Sequence, residues 1–177
     1  MAKPSVQPTG RESFFDTEEI IVTKTDLKGK ITYANEVFLR VSKLSEHDAI
    51  GAPHSLIRHP DMPRAVFKLL WDRIQSGKEL FAYVMNMATD GDHYWVFAHV
   101  TPIRNAKGEI VGYHSTRRVP NPDVVRSVSA PLYGTLAEIE RRNGNPKVGM
   151  AESGAALTSI LTEKALTYDE LIFSLQR

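Results

Sequence analysis

Hydrophobic and polar positions along this chain switch between a period of two and a period of three to four. Ile20–Thr25 is rich in β-branched residues and reads as a strand. Asp26–Lys30 is a tight turn with Gly29 at the position that tolerates positive φ, and Ile31–Ala34 is the return strand, so 20–34 is a hairpin. Asn35 ends that strand and caps a short helix over Glu36–Val41. Ser45, with Asp48 three residues on, opens another short turn that Gly51 stops. From Pro63 to Gln75 the apolar residues Val66, Phe67, Leu69, Leu70 and Ile74 recur at helical spacing. Leu80–Met87 and His93–Thr101 are strands joined through the Asp90-Gly91 turn, and Glu109–Arg118 is a last strand after the turn at 105–108. The order is strand, strand, three helical pieces, then a three-stranded meander. That predicts an α+β domain, a five-stranded antiparallel sheet with short helices on one side.

Beyond Pro120 the period is helical. Asp123–Arg142 predicts a helix with Pro131 as a kink or break, 143–146 a loop, and Ala155–Leu161 and Tyr168–Leu175 two short helices, the second capped at Thr167 with Glu170. The chain therefore divides into an N-terminal extension (1–18), a central domain (19–119) and a C-terminal helical extension (120–177). Residues 1–18 read as a mobile lead, with Phe14-Phe15 as an aromatic pair able to dock on the body.

Alternation in the sheet leaves neither face polar. Leu80, Ala82, Val84 and Asn86 share one side and Phe81, Tyr83, Met85 and Met87 the other; Trp95, Phe97 and His99 oppose Tyr94, Val96, Ala98 and Val100. A sheet with one solvated face alternates apolar with polar, so a cover is implied on the second side. Segments 123–142 or 5–18 are the favoured cover, with a homodimer through the sheet face or the terminal helices next.

Composition narrows the chemistry. Among 177 residues there is no cysteine, which excludes disulfides, thiolate metal sites and a cysteine–flavin adduct. Twenty-two Lys/Arg against 21 Asp/Glu give a net charge of +1, and nothing there argues for nucleic acid. No apolar run spans a membrane and the first ten residues are not a secretory signal, so a cytoplasmic protein is the expectation. The six histidines form no spacing that completes a metal set. No nucleophile elbow, phosphate loop or dinucleotide fingerprint is present, and Ser55 lacks an orienting context, so the chain does not read as an enzyme. Binding is the better reading. A small sheet facing short helices encloses a mostly apolar pocket with a few polar groups on its rim. Asn35, Arg58, His59, Asp61, Asn86 and Arg117 are the candidate polar groups, Arg58 being suited to a phosphate. Phe67, Trp71 and Trp95 offer aromatic area to a ring system or to the core. The run Ile57-Arg58-His59-Pro60-Asp61-Met62-Pro63 is the densest of these stretches; taken alone it reads first as a stiff loop in which Asp61 caps the helix begun by Pro63, and second as a ligand-facing loop.

The strand order, Ile31-Thr32-Tyr33-Ala34-Asn35 and Asp90-Gly91-Asp92-His93-Tyr94-Trp95-Val96 resemble a PAS domain. The run Gly51–Pro63, followed by Phe67 and Trp71, and Ser129-Ala130-Pro131-Leu132-Tyr133 resemble the aerotaxis (energy-taxis) receptor subgroup. The resemblance covers about residues 19–135 and implies a FAD-binding redox or oxygen sensor. By matching position, Asn35, Arg58, His59, Asp61, Phe67 and Arg117 are then FAD-site residues. Leu80 stands where the receptors carry a tryptophan, and Met85 or Met87 where they carry a basic residue. A chain ending at Arg177 is similar to stand-alone forms that act through a separate membrane chemotaxis transducer of the methyl-accepting type. A haem-binding PAS sensor and a cofactor-free PAS adaptor are the alternatives.

Overall fold

The computed structural model describes residues 6–176. Five strands form one antiparallel sheet in the order β2-β1-β5-β4-β3: β1 (Ile21–Thr25), β2 (Ile31–Ala34), β3 (Leu80–Met87), β4 (His93–Arg104) and β5 (Ile110–Arg118). The central strand, β5, is the last in sequence, so hairpin β1–β2 closes against it, with Thr23 opposite Ser115 and Ile21 opposite Arg117. Between the hairpin and β3 lie α1 (Glu36–Ser42), α2 (Glu46–Ala49), a 3-10 turn over His54–Ile57 and α3 (Arg64–Gln75). Asn35 caps α1 by accepting from the Phe38 amide, and Ser45 caps α2 by accepting from the Asp48 amide, as their sequence positions predict.

One cap differs from expectation. Asp61 does not cap α3; Pro63 occupies the N-cap position and supplies no side chain. The Glu140 carboxylate, 76 residues on, accepts instead from the amides of Arg64 at 2.9 Å and Ala65 at 3.0 Å. Asp61 is turned outward, 3.4 Å from Arg141.

The C-terminal extension is more helical than its pattern predicts. α4 (Pro122–Val124) runs through a π-helical stretch over Val125–Ser129 into α5 (Ala130–Arg142), and the Ala130 amide reaches back to the Val125 carbonyl. Pro131 has no amide to donate and its ring crowds the preceding turn, so the chain widens locally instead of breaking. α6 (Pro146–Glu163) is a full 18-residue helix, of which the apolar spacing reveals only the second half. Its first half rests on small residues: a Cβ at Gly149 would stand 2.8 Å from the Glu140 carbonyl oxygen. α7 (Tyr168–Ser174) begins with the expected Thr167–Glu170 capping box.

These helices give the sheet its second cover. Tyr133 of α5 stacks on Trp95 with ring centroids 6.1 Å apart and donates its hydroxyl to the Tyr83 carbonyl at 2.7 Å. Phe173 of α7 meets Phe81 edge-on at 5.2 Å, and Gln176 bonds the Tyr83 hydroxyl. Cover by the segment 123–142 thus matches expectation, and α7 adds to it. The other segment, 6–18, is no loose lead where it is described: the His93 amide donates to the Arg11 carbonyl at 2.9 Å and the Ser13 amide to the His93 carbonyl at 2.8 Å. Residues 1–5 of that expected lead lie outside the described residues. Phe15 packs on the core while Phe14 stays exposed. The Tyr133 bond makes a simple prediction. Tyr133→Phe should lower stability by about 1 kcal/mol, read from urea unfolding, because the Tyr83 carbonyl loses the hydroxyl that donates to it while the ring packing is kept.

Candidate functional site

The inner sheet face and α3 enclose a cavity of about 250 Å³. Val84 and Asn86 from β3, Ala98 and Val100 from β4, Tyr113, Ser115 and Arg117 from β5, and Thr23 and Thr25 from β1 make its floor. Phe67, Leu70, Trp71 and Ile74 of α3 make one wall. The connection through Gly29, Pro53, His54, Ser55 and Arg58 makes the other, with Lys28, Pro53 and Ser55 exposed. Period-two alternation places every second residue of each strand on this floor. Helical spacing puts Phe67, Leu70, Trp71 and Ile74 on one stripe of α3.

The lining carries three cations, Lys28, Arg58 and Arg117, and no carboxylate. Arg117 is the deepest, 4% exposed. Its Nη2 donates to Thr23 Oγ1 at 3.0 Å and to His54 Nε2 at 2.6 Å, while Nη1 has no partner among the described residues. Burial without a facing carboxylate pushes its pKa down to about 10. The Asn86 Nδ2 and Ser115 Oγ atoms are likewise buried with no close hydrogen bond among the described residues, Asn86 lying beside the buried Tyr94 hydroxyl, so three polar groups of one floor keep capacity for a ligand. Arg58 lies over the Phe67 ring, 4.2 Å from its centroid, and its Nη2 reaches the Met62 carbonyl at 3.4 Å. Burial, then the Arg64 charge, lower the Arg58 pKa.

His54 was not singled out by sequence as a binding residue. It keeps some exposed surface, but its Nε2 end is turned inward against Thr23 and Arg117. Burial, reinforced by the Arg117 charge, pushes the imidazole down to about 3, so the ring is neutral and accepts the Arg117 hydrogen bond. Its signal was weak, a lone histidine on a loop with no helical or strand period to orient it. Trp71 is held edge-on to Tyr113 at 5.6 Å, and its Cη2 would lie 3.0 Å from a Cβ at Gly29, whose φ is +76°. Gly29→Ala should therefore cost about 1–2 kcal/mol in urea unfolding and displace the Trp71 ring toward the cavity.

The sequence candidates separate cleanly. Arg58, Phe67, Trp71, Asn86 and Arg117 converge on the cavity. Asn35, His59, Asp61 and Trp95 do not line it. Asn35 ties the hairpin to α1, accepting from the Val22 amide and donating to the Ile20 carbonyl. His59 is buried, with Nδ1 accepting from the Asp61 amide and its ring 5.9 Å from His93. Trp95 belongs to the outer face beneath α5. Leu80 is buried in the core and stands outside the lining.

A sheet of this order with a cavity between its inner face and short helices is the arrangement of a known sensory fold. The family model described as PAS fold matches residues 31–117. Residues 31–117 form a PAS domain. A segment of 116 residues, 66% of the chain, is 38% identical to the aerotaxis receptor of Escherichia coli (strain K12) and covers 22% of it. A nitrogen fixation regulatory protein of Klebsiella pneumoniae is 27% identical over 99 residues, 56% of this chain and 20% of that protein. The matched PAS segment thus spans about a fifth of either relative. Among solved structures, the dark state of the LOV domain of the blue-light photoreceptor aureochrome 1 superposes with a TM-score of 0.56 at 25% identity, over 63% of this chain and 83% of that one. A light-oxygen-voltage domain carrying a flavin analogue shares the fold, with a TM-score of 0.57 at 16% identity over 63% and 84%. None of the described helices is long and apolar enough to cross a membrane, and no described cluster of His, Asp or Glu could hold a metal ion.

Proposed function

We propose that this PAS domain binds FAD in the cavity and serves as a redox or oxygen sensor in aerotaxis. The observation that carries the reading is the lining itself: three cations without an acid, over a floor where three polar groups keep capacity for a ligand. A flavin, which takes up and releases electrons when bound, presents hydrogen-bonding ring edges and anionic phosphates to such a surface. Arg117 Nη1 and Asn86 Nδ2 are donors placed for ring-edge acceptors, and Ser115 can donate or accept. Phe67, Trp71 and Val100 supply the flat apolar walls of a ring slot. Arg58 and Lys28, nearer the exposed lining, suit the phosphates. At about 250 Å³ the space is a little under the usual range of about 300–1,000 Å³ for a whole ligand. It suits a ring system whose tail extends past Lys28 and Ser55. With no carboxylate in the lining, Arg117 offsets negative charge that enters the cavity. Its two bonds to Thr23 and His54 keep its position fixed as that charge changes.

Similarity to the aerotaxis receptor supports the signalling assignment: residues 19–119 sense, 120–177 transmit, and a methyl-accepting chemotaxis transducer in the membrane receives the state by protein contact. The protein acts in the cytoplasm as a sensor and not an enzyme. A haem fits less well. Among the histidines only His54 lines the cavity, and its Nε2 is committed to Arg117. Purification in the dark, followed by an absorption spectrum and mass analysis of the heat-released cofactor, tests the reading. Flavin bands and the mass of FAD are expected; a Soret band, or a folded protein that is colourless and takes up no FAD, would overturn it.

A further inference from the structure

α3 carries Phe67 and Trp71 into the cavity, yet nothing in its own sequence caps it. Its first two amides are bound by the Glu140 carboxylate, one to each oxygen, at 2.9 and 3.0 Å. The neighbouring Arg141 reaches Asp61 at 3.4 Å on the loop that leads from Arg58 into α3. The last turn of α5 thus grips the entry to α3 from both sides. The same turn is locked to α6, because only a glycine at 149 allows the close approach to the Glu140 carbonyl. Behind the grip lies Arg58, whose charge Glu140 favours electrostatically and which caps the Phe67 ring inside the cavity.

The geometry points to Glu140 as a latch that couples the contents of the cavity to the α5–α6 hairpin. A side chain that completes a helix N-terminus from a distant element holds only in one relative position of the two. A displacement of the α3 entry along with Arg58 and Phe67 breaks both bonds together. A ligand that fixes Arg58 and Phe67 fixes that entry and strengthens the grip; by reciprocity, a closed grip raises affinity for the ligand by the same factor. The output of the domain is then the docking of α5 and α6. The proposal rests on the flavin reading of the cavity.

The test uses the full chain with FAD as the probe. Amide hydrogen exchange is followed across 64–67 and 130–163, with and without FAD, in the wild type, Glu140→Gln and Glu140→Ala. Glu140→Gln keeps size and one carbonyl acceptor, so it reports on the latch even where the alanine variant folds poorly. In the wild type FAD should slow exchange in both segments. In Glu140→Ala, FAD should protect 64–67 but no longer 130–163, and its affinity should fall roughly tenfold; the glutamine variant should fall between. FAD protection of 130–163 that survives in both variants, with unchanged affinity, overturns the latch while leaving the flavin site standing. A wild type that does not bind FAD overturns both the site and the latch. An Arg141→Ala variant, which keeps both amide bonds, should retain coupling; its loss there would assign the grip to Asp61 instead.

Discussion

Arg117→Met is expected to make the ligand-free protein more stable and to abolish flavin binding. In the folded chain the guanidinium is 4% exposed and faces no carboxylate among the described residues, so its burial is offset only by Thr23 and His54. A cation held this way costs stability, and an apolar side chain of similar volume should recover about 1–3 kcal/mol. The two groups it leaves behind are not orphaned, because Thr23 Oγ1 and His54 Nε2 already lie 3.3 Å apart and can bond each other. The same replacement removes the one charge on the cavity floor, and flavin affinity should fall by roughly 100-fold or more. Urea unfolding of the ligand-free forms and a flavin titration read the two effects separately. Loss of stability with unchanged affinity would make Arg117 a structural residue and move the ligand elsewhere.

The second large effect concerns acid. His54 is pushed from 6.5 to about 3 by burial and by Arg117, so between these values the unfolded chain binds a proton that the folded chain refuses. Stability is full above the unfolded value and falls as pH drops toward the folded one. The slope over that window is about 1.4 kcal/mol per pH unit, about 5 kcal/mol in all. His59 and His114 are lowered mainly by burial and add in the same direction. His54→Gln keeps an oxygen to accept from Arg117 and removes the titration. Its unfolding free energy should decline more gently between about pH 6 and about pH 4, by nearly one proton, as read from urea midpoints. Parallel declines in the two proteins would show that the folded ring protonates freely.

How far the sequence alone reaches depends on the range of the interaction. Asn35, Ser45, Thr167 and the Asp90-Gly91 turn act within a few residues, and the elements they bound were legible. Alternation on β3 and β4 also told which residues share the cavity floor, and so reached Asn86. Asp61 misled because a carboxylate beside a helix-starting proline satisfies the local rule, whereas the cap comes from Glu140 across the domain. The first half of α6 was hidden because Gly149, Ser153 and Gly154 have poor helix propensity; close packing on α5 decides in its favour. His54 needed the fold, since its partners Thr23 and Arg117 come from β1 and β5. An expected place on the pocket rim and the family resemblance group Asn35, His59 and Asp61 with Arg58 in the sequence. The structure sends His59 and Asp61 away from the cavity because the chain turns back after Arg58, the Met62 amide donating to the His59 carbonyl and the Asp61 amide to the His59 ring.

The most direct test of the flavin site is to fill the cavity. Ala98 lies on the floor opposite Arg117 in the β4–β5 register and is 3% exposed. The flavin content of wild type and of Ala98→Leu, purified side by side with far-ultraviolet circular dichroism to confirm the fold, gives the answer. One flavin per wild-type chain and none in a folded Ala98→Leu is the predicted result. Equal flavin in both, or none in the wild type, would contradict the account.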